Sequence, residues 1–395
     1  MTKICTKALR GALGATLATC IAGAALAADP GVAADKVVFG QAAVFEGPAS
    51  ALGLGMREGI QAAFAEANKA GGVKGRKLEL VTADDGYEPN KAIEAVGKLI
   101  NDSKVFALIG AVGTPTSVAT LPVATKAGVP MIGFFTGAEA LRQPFNPHAT
   151  HIRASYYQET EVMVERLTKD SGFTKIAILF QDDGFGRAGL EGVNRALAKR
   201  NMKLAAEGTF ECNTVAVKNA LLEIRNGEPE AVIIISPYKP AAEFIKLARQ
   251  VKMNATFVNI SFVGSDALAA EMGASGAGVV VTQVVPFPQD VSIPLVKRFH
   301  DALKASNPNA QPGFISLEGY MTGRVAIAAL EKVDGEPTRK ALIEAVGKLG
   351  ALDLGGITLS YKPDNYQGSS QVYLTAIGTD GKFMSLKSLK DVPTN

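Results

Sequence analysis

Residues 36–85 read KVVFGQAAVFEGPASALGLGMREGIQAAFAEANKAGGVKGRKLELVTADD, and this stretch decides the fold. Val37-Val38-Phe39 is a β-branched and aromatic run of strand type. After a Gly/Pro loop, Met56, Ile60, Phe64 and Ala67 recur at helical spacing until Gly71-Gly72 stops the helix. Residues 77–82 return as a second strand. Strand, crossover helix and strand in that order make the βαβ unit of a parallel sheet.

The alternation continues downstream. Pro89 suits the first turn of a helix whose expected apolar face is Ile93, Val96, Leu99 and Ile100. Residues 105–109 read as a third strand, 116–126 as a helix and 129–132 as a fourth strand. A second series follows His151-Ile152-Arg153, with a helix near 160–169, a buried strand at 175–180, and strands at 203–208, 231–235, 256–260 and 279–282. Two successive series predict two sheets. Beyond Pro286 the pattern gives helices at 293–305, 314–330 and 338–349, then strands at 356–360 and 372–377. The expected fold class is α/β, with two doubly wound parallel-sheet lobes.

At the N-terminus Lys3, Lys7 and Arg10 precede an apolar, small-residue run over 11–26 that ends in Ala25-Leu26-Ala27. This is the pattern of a secretory signal peptide over residues 1–27, cut after Ala27 and directing the chain to the periplasm. As a membrane anchor the run is too short and too rich in Gly and Ala. Cys20, preceded by Leu17-Ala18-Thr19, weakly resembles a lipoprotein acylation site, with Thr19 a poor residue before the cysteine. Cys5 and Cys20 leave with the signal, so Cys212 stands alone and no internal disulfide is expected. An exported chain without disulfides depends on a large apolar core, and 395 residues at 47% hydrophobic content suffice for two domains. Removing Lys3, Lys7 and Arg10 from a formal net charge of +3 leaves a neutral mature chain, which gives no electrostatic case for a nucleic-acid partner or an anionic membrane.

Catalytic constellations are not found by spacing. His148, His151 and His300 have no metal-ligand spacing to carboxylates, and no metal or cofactor is expected. Residues 53–59, GLGMREG, are one residue too long for a dinucleotide loop and lie well past the strand end. Residues 71–77 lack the Gly-Lys-Ser/Thr ending that cradles phosphate. The pairs Asp84-Asp85 and Asp182-Asp183 stand at strand ends, where acid/base work or a turn and helix cap are both compatible with the sequence, and no placed nucleophile accompanies them. The expectation is a binding protein without an enzymatic step; a secreted hydrolase using Asp182 or Asp183 as base is the alternative.

Ligands of open parallel sheets bind at the carboxyl ends of the strands. Gly110-Ala-Val-Gly-Thr-Pro-Thr-Ser117 follows the third strand and opens a helix, so that Thr114, Thr116 and Ser117 either bind a carboxylate with the backbone N–H groups or cap the helix. In Gly133-Phe-Phe-Thr-Gly137, after the fourth strand, Phe135 either walls an apolar group or belongs to the core. Tyr156-Tyr157 and Tyr238 are further candidates, since a tyrosine packs with its ring while its hydroxyl hydrogen-bonds.

Glu46-Gly-Pro48, residues 68–78 (NKAGGVKGRKL), Asp84-Asp85-Gly-Tyr-Glu-Pro89, Ile109-Gly110, Gly128-Val-Pro-Met-Ile132 and residues 182–186 occur in an order and spacing that resembles the leucine/isoleucine/valine-binding type of periplasmic receptor that feeds ABC importers. The resemblance implies two lobes joined by three chain crossings near Arg153, Gln283 and Gly368. One lobe is then residues 36–153 plus 284–367, and the other 154–283 plus 368–395. It implies a small-molecule ligand held between the lobes, an ABC permease as partner and a monomeric chain; a sensory receptor would use the same clamp. It further implies that Thr114 holds an amino acid's carboxylate, that Phe135, Thr136 and Gly137 make neighbouring contacts, and that Tyr238 reaches in from the second lobe. Phe45, Thr116, Tyr157 and Asp183 complete the expected ligand set. Two positions depart from the family pattern: Ser261, beside Phe262, stands where relatives offer an acid to the ligand's ammonium, and Leu52 stands where an aromatic is common. A buried ammonium without a counter-charge is costly, so an amino acid, another small carboxylate or an amide all remain open.

Overall fold

The computed structural model describes residues 1–2 and 28–393. Lys3, Lys7, Arg10, Cys5, Cys20 and the expected cleavage site after Ala27 lie outside the described residues.

The first sheet is built from β1 (Lys36–Ala43), β2 (Lys77–Asp84), β3 (Ala107–Ile109), β4 (Met131–Ile132) and β5 (Ala149–Thr150), in the order β2-β1-β3-β4-β5 with every neighbouring pair parallel. Helices α1 (Ser50–Lys69), α2 (Pro89–Asn101) and α3 (Thr114–Lys126) are its crossovers. Edge strand β2 is mostly exposed or half-buried, with Leu78 its buried residue, and its Glu79 pairs with Lys36 at 3.0 Å on the rim. Helix α2 buries Ala92, Ala95, Val96 and Leu99 and leaves Ile93 exposed, so its inner face is rotated from the expected one toward the alanines. The small side chains allow α2 to lie close to the sheet.

The second series runs α4 (Tyr156–Lys169), β6 (Ile176–Gln181), α5 (Gly184–Ala198), β7 (Ala206–Phe210), α6 (Lys218–Asn226), β8 (Ala231–Ile235), α7 (Tyr238–Gln250), β9 (Thr256–Asn259), α8 (Ser265–Met272) and β10 (Val280–Gln283). After it come α9 (Pro294–Ser306), α10 (Phe314–Lys332), α11 (Arg339–Gly347), β11 (Ala351–Asp353), β12 (Thr358–Ser360), β13 (Tyr373–Ile377) and β14 (Phe383–Leu386). The second sheet has the order β14-β13-β10-β9-β8-β6-β7. Its centre is parallel, while β13 and β14 add an antiparallel edge. The central strands IAILFQ (β6) and AVIII (β8) are buried throughout, as strands covered on both faces must be.

Helices α9 and α10 return to the first sheet. Phe39, Phe64, Phe299, Leu317 and Tyr320 share one core cluster there. Glycines bring α1 and α10 into backbone contact: a Cβ on Gly59 would stand 1.9 Å from the Ser316 carbonyl oxygen, and one on Gly319 2.4 Å from that of Met56. Residues 53–59 are thus a helix-packing face.

Chain segments run side by side between the two sheets. The N–H of His151 donates to Tyr366 O at 2.8 Å and that of Gly368 to His151 O at 2.8 Å, forming a parallel bridge between His151 and Gln367. His151 is buried, stacks on Phe134 at 5.1 Å and bonds through Nε2 to Leu141 O at 3.0 Å. Burial and the nearby Arg142 hold its imidazole well below the ordinary pKa, so it is a neutral structural group.

Candidate functional site

The carboxyl edges of the two sheets face each other. From the first sheet the loop after β2 contributes Tyr87 and the loop after β4 contributes Phe135. From the second series come Tyr156 at the start of α4, Phe185 after β6 and Phe262 after β9. Phe262 is the hub: its ring centroid lies 6.2 Å from Tyr87, 5.4 Å from Phe135 and 4.5 Å from Phe185, and Phe185 lies 5.6 Å from Tyr156. All five rings are at most 2% exposed, so the two strand-edge sides meet in a buried aromatic contact. Leu52 is fully buried against the turn at Gly264, where an added Cβ would stand 2.6 Å from Leu52 Cδ2. The Tyr238 hydroxyl accepts a long bond from Ala51 N at 3.5 Å, another contact between the two sides.

A hydroxyl cluster adjoins the rings. Gly113, at φ +98°, lets the chain turn into α3 beneath Tyr87, whose Cε2 would be 2.2 Å from any Cβ there. Thr114 is thereby the first residue of α3, with Oγ1 2.6 Å from Thr136 Oγ1. Thr136 Oγ1 in turn lies 3.2 Å from the Tyr156 hydroxyl. Gly137 O accepts from Tyr156 N at 2.7 Å, and a Cβ on Gly137 would meet Tyr156 Cδ1 at 2.5 Å, so glycine is what allows this tyrosine in. Burial pushes the Tyr156 phenol up to about 12, leaving it a neutral hydrogen-bonding group.

Other expected residues are placed differently. Thr116 donates to Val112 O at 2.5 Å and lines a small interior space with Asp85 and Thr120, between α2 and α3. Tyr157 lies under the Arg195 guanidinium at 4.6 Å, between α4 and α5. Phe45 is half-buried beneath Arg57 at 4.8 Å. Asp183 caps α5, accepting from Phe185 N at 2.8 Å and Gly186 N at 3.2 Å, and it also accepts from Gln181 Nε2. Asp182 is half-exposed and paired with Arg187 at 2.5 Å. The Cys212 thiol is pushed up to about 12 by burial and by Asp183, which keeps it protonated and unreactive.

Ser261 joins a buried network that spacing did not reveal. Its N–H and Oγ both donate to Glu159, each at 3.0 Å, and Thr282 Oγ1 donates to the same carboxylate at 2.7 Å. Ser261 Oγ also accepts from Arg153 Nη2. Arg153 has no exposed surface; its Cζ lies 4.7 Å above the Phe135 ring, and its Nε is 3.4 Å from Glu318 Oε1 on α10. Burial outweighs Arg153 at Glu318 and pushes that carboxyl up to about 7. Arg153 and Glu159 offered no sequence signal because their partners lie more than 100 residues away in the chain.

A model of the family described as periplasmic binding protein matches residues 36–382. A crystal structure of a possible leucine/isoleucine/valine-binding protein from Rhodopirellula baltica superposes with a TM-score of 0.87 at 35% identity, covering 91% of this chain and 98% of that one. The leucine-, isoleucine-, valine-, threonine- and alanine-binding protein of Pseudomonas aeruginosa is 26% identical over 80% of this chain and 83% of its own length. A Leu/Ile/Val-binding protein homologue of Brucella abortus is 24% identical over 79% and 81%. Two parallel-sheet α/β lobes with opposed strand ends, buried aromatic contacts between them and this breadth of match lead to one conclusion: the chain belongs to the periplasmic binding protein family, whose members bind solutes.

Proposed function

We propose that this chain captures an amino acid with an apolar side chain between two hinged lobes and delivers it to the permease of an ABC-type importer. The observation that carries the reading is the meeting of two unlike linings in one crevice. One is the hydroxyl cluster of Thr114, Thr136 and Tyr156 beside the N-terminus of α3; the other is the buried wall of Tyr87, Phe135, Phe185 and Phe262. Hydroxyls and a helix N-terminus suit a carboxylate. The rings suit an aliphatic body, which leaves water when they close on it. The ligands named for the relatives from Pseudomonas aeruginosa and Rhodopirellula baltica support the same class.

The working parts are lobes of residues 36–153 plus 284–367 and 154–283 plus 368–395, hinged near Arg153, Gln283 and Gly368. The joining of β13 and β14 to the second sheet supports this division. Ligand docks on Thr114 and the 135–137 loop, with Leu52 beside it. It then gains contacts with Tyr238 and Ser261 from the second lobe. That differential affinity shifts the population toward the closed form, and no bond is made or broken. A cleaved N-terminal signal delivers the monomer to the periplasm.

Isothermal titration of the purified chain with the twenty amino acids, one at a time, tests the reading. One saturable site for a branched or small apolar amino acid is expected, with unfolding free energy rising by about 2.7 kcal/mol at a hundredfold excess over Kd. Heat and melting temperature unchanged by all twenty would contradict it.

A further inference from the structure

Arg153 carries an inference beyond the family's hydroxyl contacts. Its guanidinium is fully buried, yet among the described residues only Nη2 of its three nitrogens makes a hydrogen bond, to Ser261 Oγ. Nη1 has no hydrogen-bond partner among the described residues, and Nε, although 3.4 Å from Glu318 Oε1, is not aligned with it as a hydrogen bond. The acids around it leave its Nη1 donors unmet. Glu159 is occupied by three donors from Ser261 and Thr282. Glu318 has no hydrogen-bond donor and a carboxyl pushed up to about 7, so it is an incomplete counter-charge at neutral pH. A second buried guanidinium, Arg142, lies in the same region and is bonded to the carbonyl oxygens of Ala138 at 2.9 Å and Arg153 at 3.4 Å. Two buried guanidiniums therefore lie beside the 135–138 loop, and a buried guanidinium with unmet donors is expensive unless an acceptor or anion answers it.

Phe135 ties this charge to the crevice. Its ring contacts the Arg153 guanidinium at 4.7 Å and Phe262 at 5.4 Å. Thr136, the next residue, holds the hydroxyl link between Thr114 and Tyr156, and the Arg153 charge acts on the Tyr156 phenol. At Ser261 itself the carboxylate is Glu159, which accepts from the serine N–H and Oγ.

We infer that Arg153 is a specificity-determining residue that supplies the counter-charge for the ligand's carboxylate, so that the cleft selects for a carboxylate before it selects for an ammonium. This rests on the cleft assignment proposed above and adds the charge rule that the cleft applies. Arginine acts here through its charge and its free Nη1 donors, which suit a planar carboxylate.

The test is titration of wild type, Arg153→Gln and Arg153→Lys with three probes: L-leucine, L-leucinamide, which keeps the ammonium and loses the carboxylate charge, and 4-methylpentanoate, which keeps the carboxylate and lacks the ammonium. Wild type should favour leucine over leucinamide by about 100-fold, and 4-methylpentanoate should retain measurable binding. In Arg153→Gln the leucine-to-leucinamide ratio should fall toward one, with Arg153→Lys between; a merely structural loss would weaken both probes together and leave their ratio intact. The probe comparison on wild type holds even if Arg153→Gln does not fold. Leucinamide binding as tightly as leucine, or an unchanged ratio in a folded Arg153→Gln, overturns the inference. Binding of 4-methylpentanoate without leucine sinks the amino-acid reading but supports Arg153, whereas leucine binding with no dependence on Arg153 does the reverse. Failure of all three probes counts against both.

Discussion

Thr114 and Tyr238 stand on opposite walls of the crevice, and each has a plain point test. Thr114→Ala removes one hydroxyl from the proposed carboxylate site and should weaken binding about tenfold, or about 1.5 kcal/mol. Tyr238→Ala removes a ring and hydroxyl from the other wall and should weaken it at least as much. Calorimetric titration reads the affinity, and far-ultraviolet circular dichroism should show both variants folded. Normal affinity in both would misplace the pocket. A pH test lies nearby. Burial raises the Asp85 carboxyl to about 7, so the folded chain holds that proton more tightly than the unfolded chain, whose group titrates near 3.8. Stability from Asp85 is therefore full below pH 4 and is lost as pH rises toward 7. The melting temperature should drop between those limits, and Asp85→Asn should remove about 3 °C of the drop. An identical pH profile in the variant would refute it. At this scale the sequence told candidates from context only in part. Tyr156 and Tyr157 are neighbours, but helical phase turns the first into the crevice and the second toward Arg195, and the phase depends on where Ser155 caps α4. Phe262 and Arg153 gained meaning only once two sheets faced each other.

Helix α1 meets α10 backbone to backbone, so glycine there is a packing residue. Gly59→Ala should destabilise by about 3 kcal/mol, because its Cβ would collide with the Ser316 carbonyl oxygen at 1.9 Å. Gly97→Ala in α2 meets nothing within 4 Å and should stabilise by about 0.5–1 kcal/mol through helix propensity. Urea unfolding of the pair reads both signs, and a stabilised Gly59→Ala would contradict the close approach. The elements legible from sequence were those with strong periodicity or long apolar runs, such as α1, β6 and β8. Those missed were short and mixed: β5 is Ala149–Thr150, β11 is Ala351–Asp353 and β14 is Phe383–Leu386. Such strands exist because a neighbour offers them a ladder, which no local pattern announces. The antiparallel return of β13 onto β10 is of the same kind.

On the scale of the whole molecule, two sheets share a crevice that both must line, while the chain passes between them beside His151 and Gly368. A buried aromatic cluster spans both sides, and in the proposed clamp it would give the closed form its apolar cohesion while ligand adds a charged contact at the hydroxyl cluster. Small-angle X-ray scattering of the mature chain during titration with its best-binding amino acid tests this clamp most directly. The radius of gyration should fall as ligand is added and level off at one equivalent. Saturable binding with an unchanged radius of gyration would contradict it.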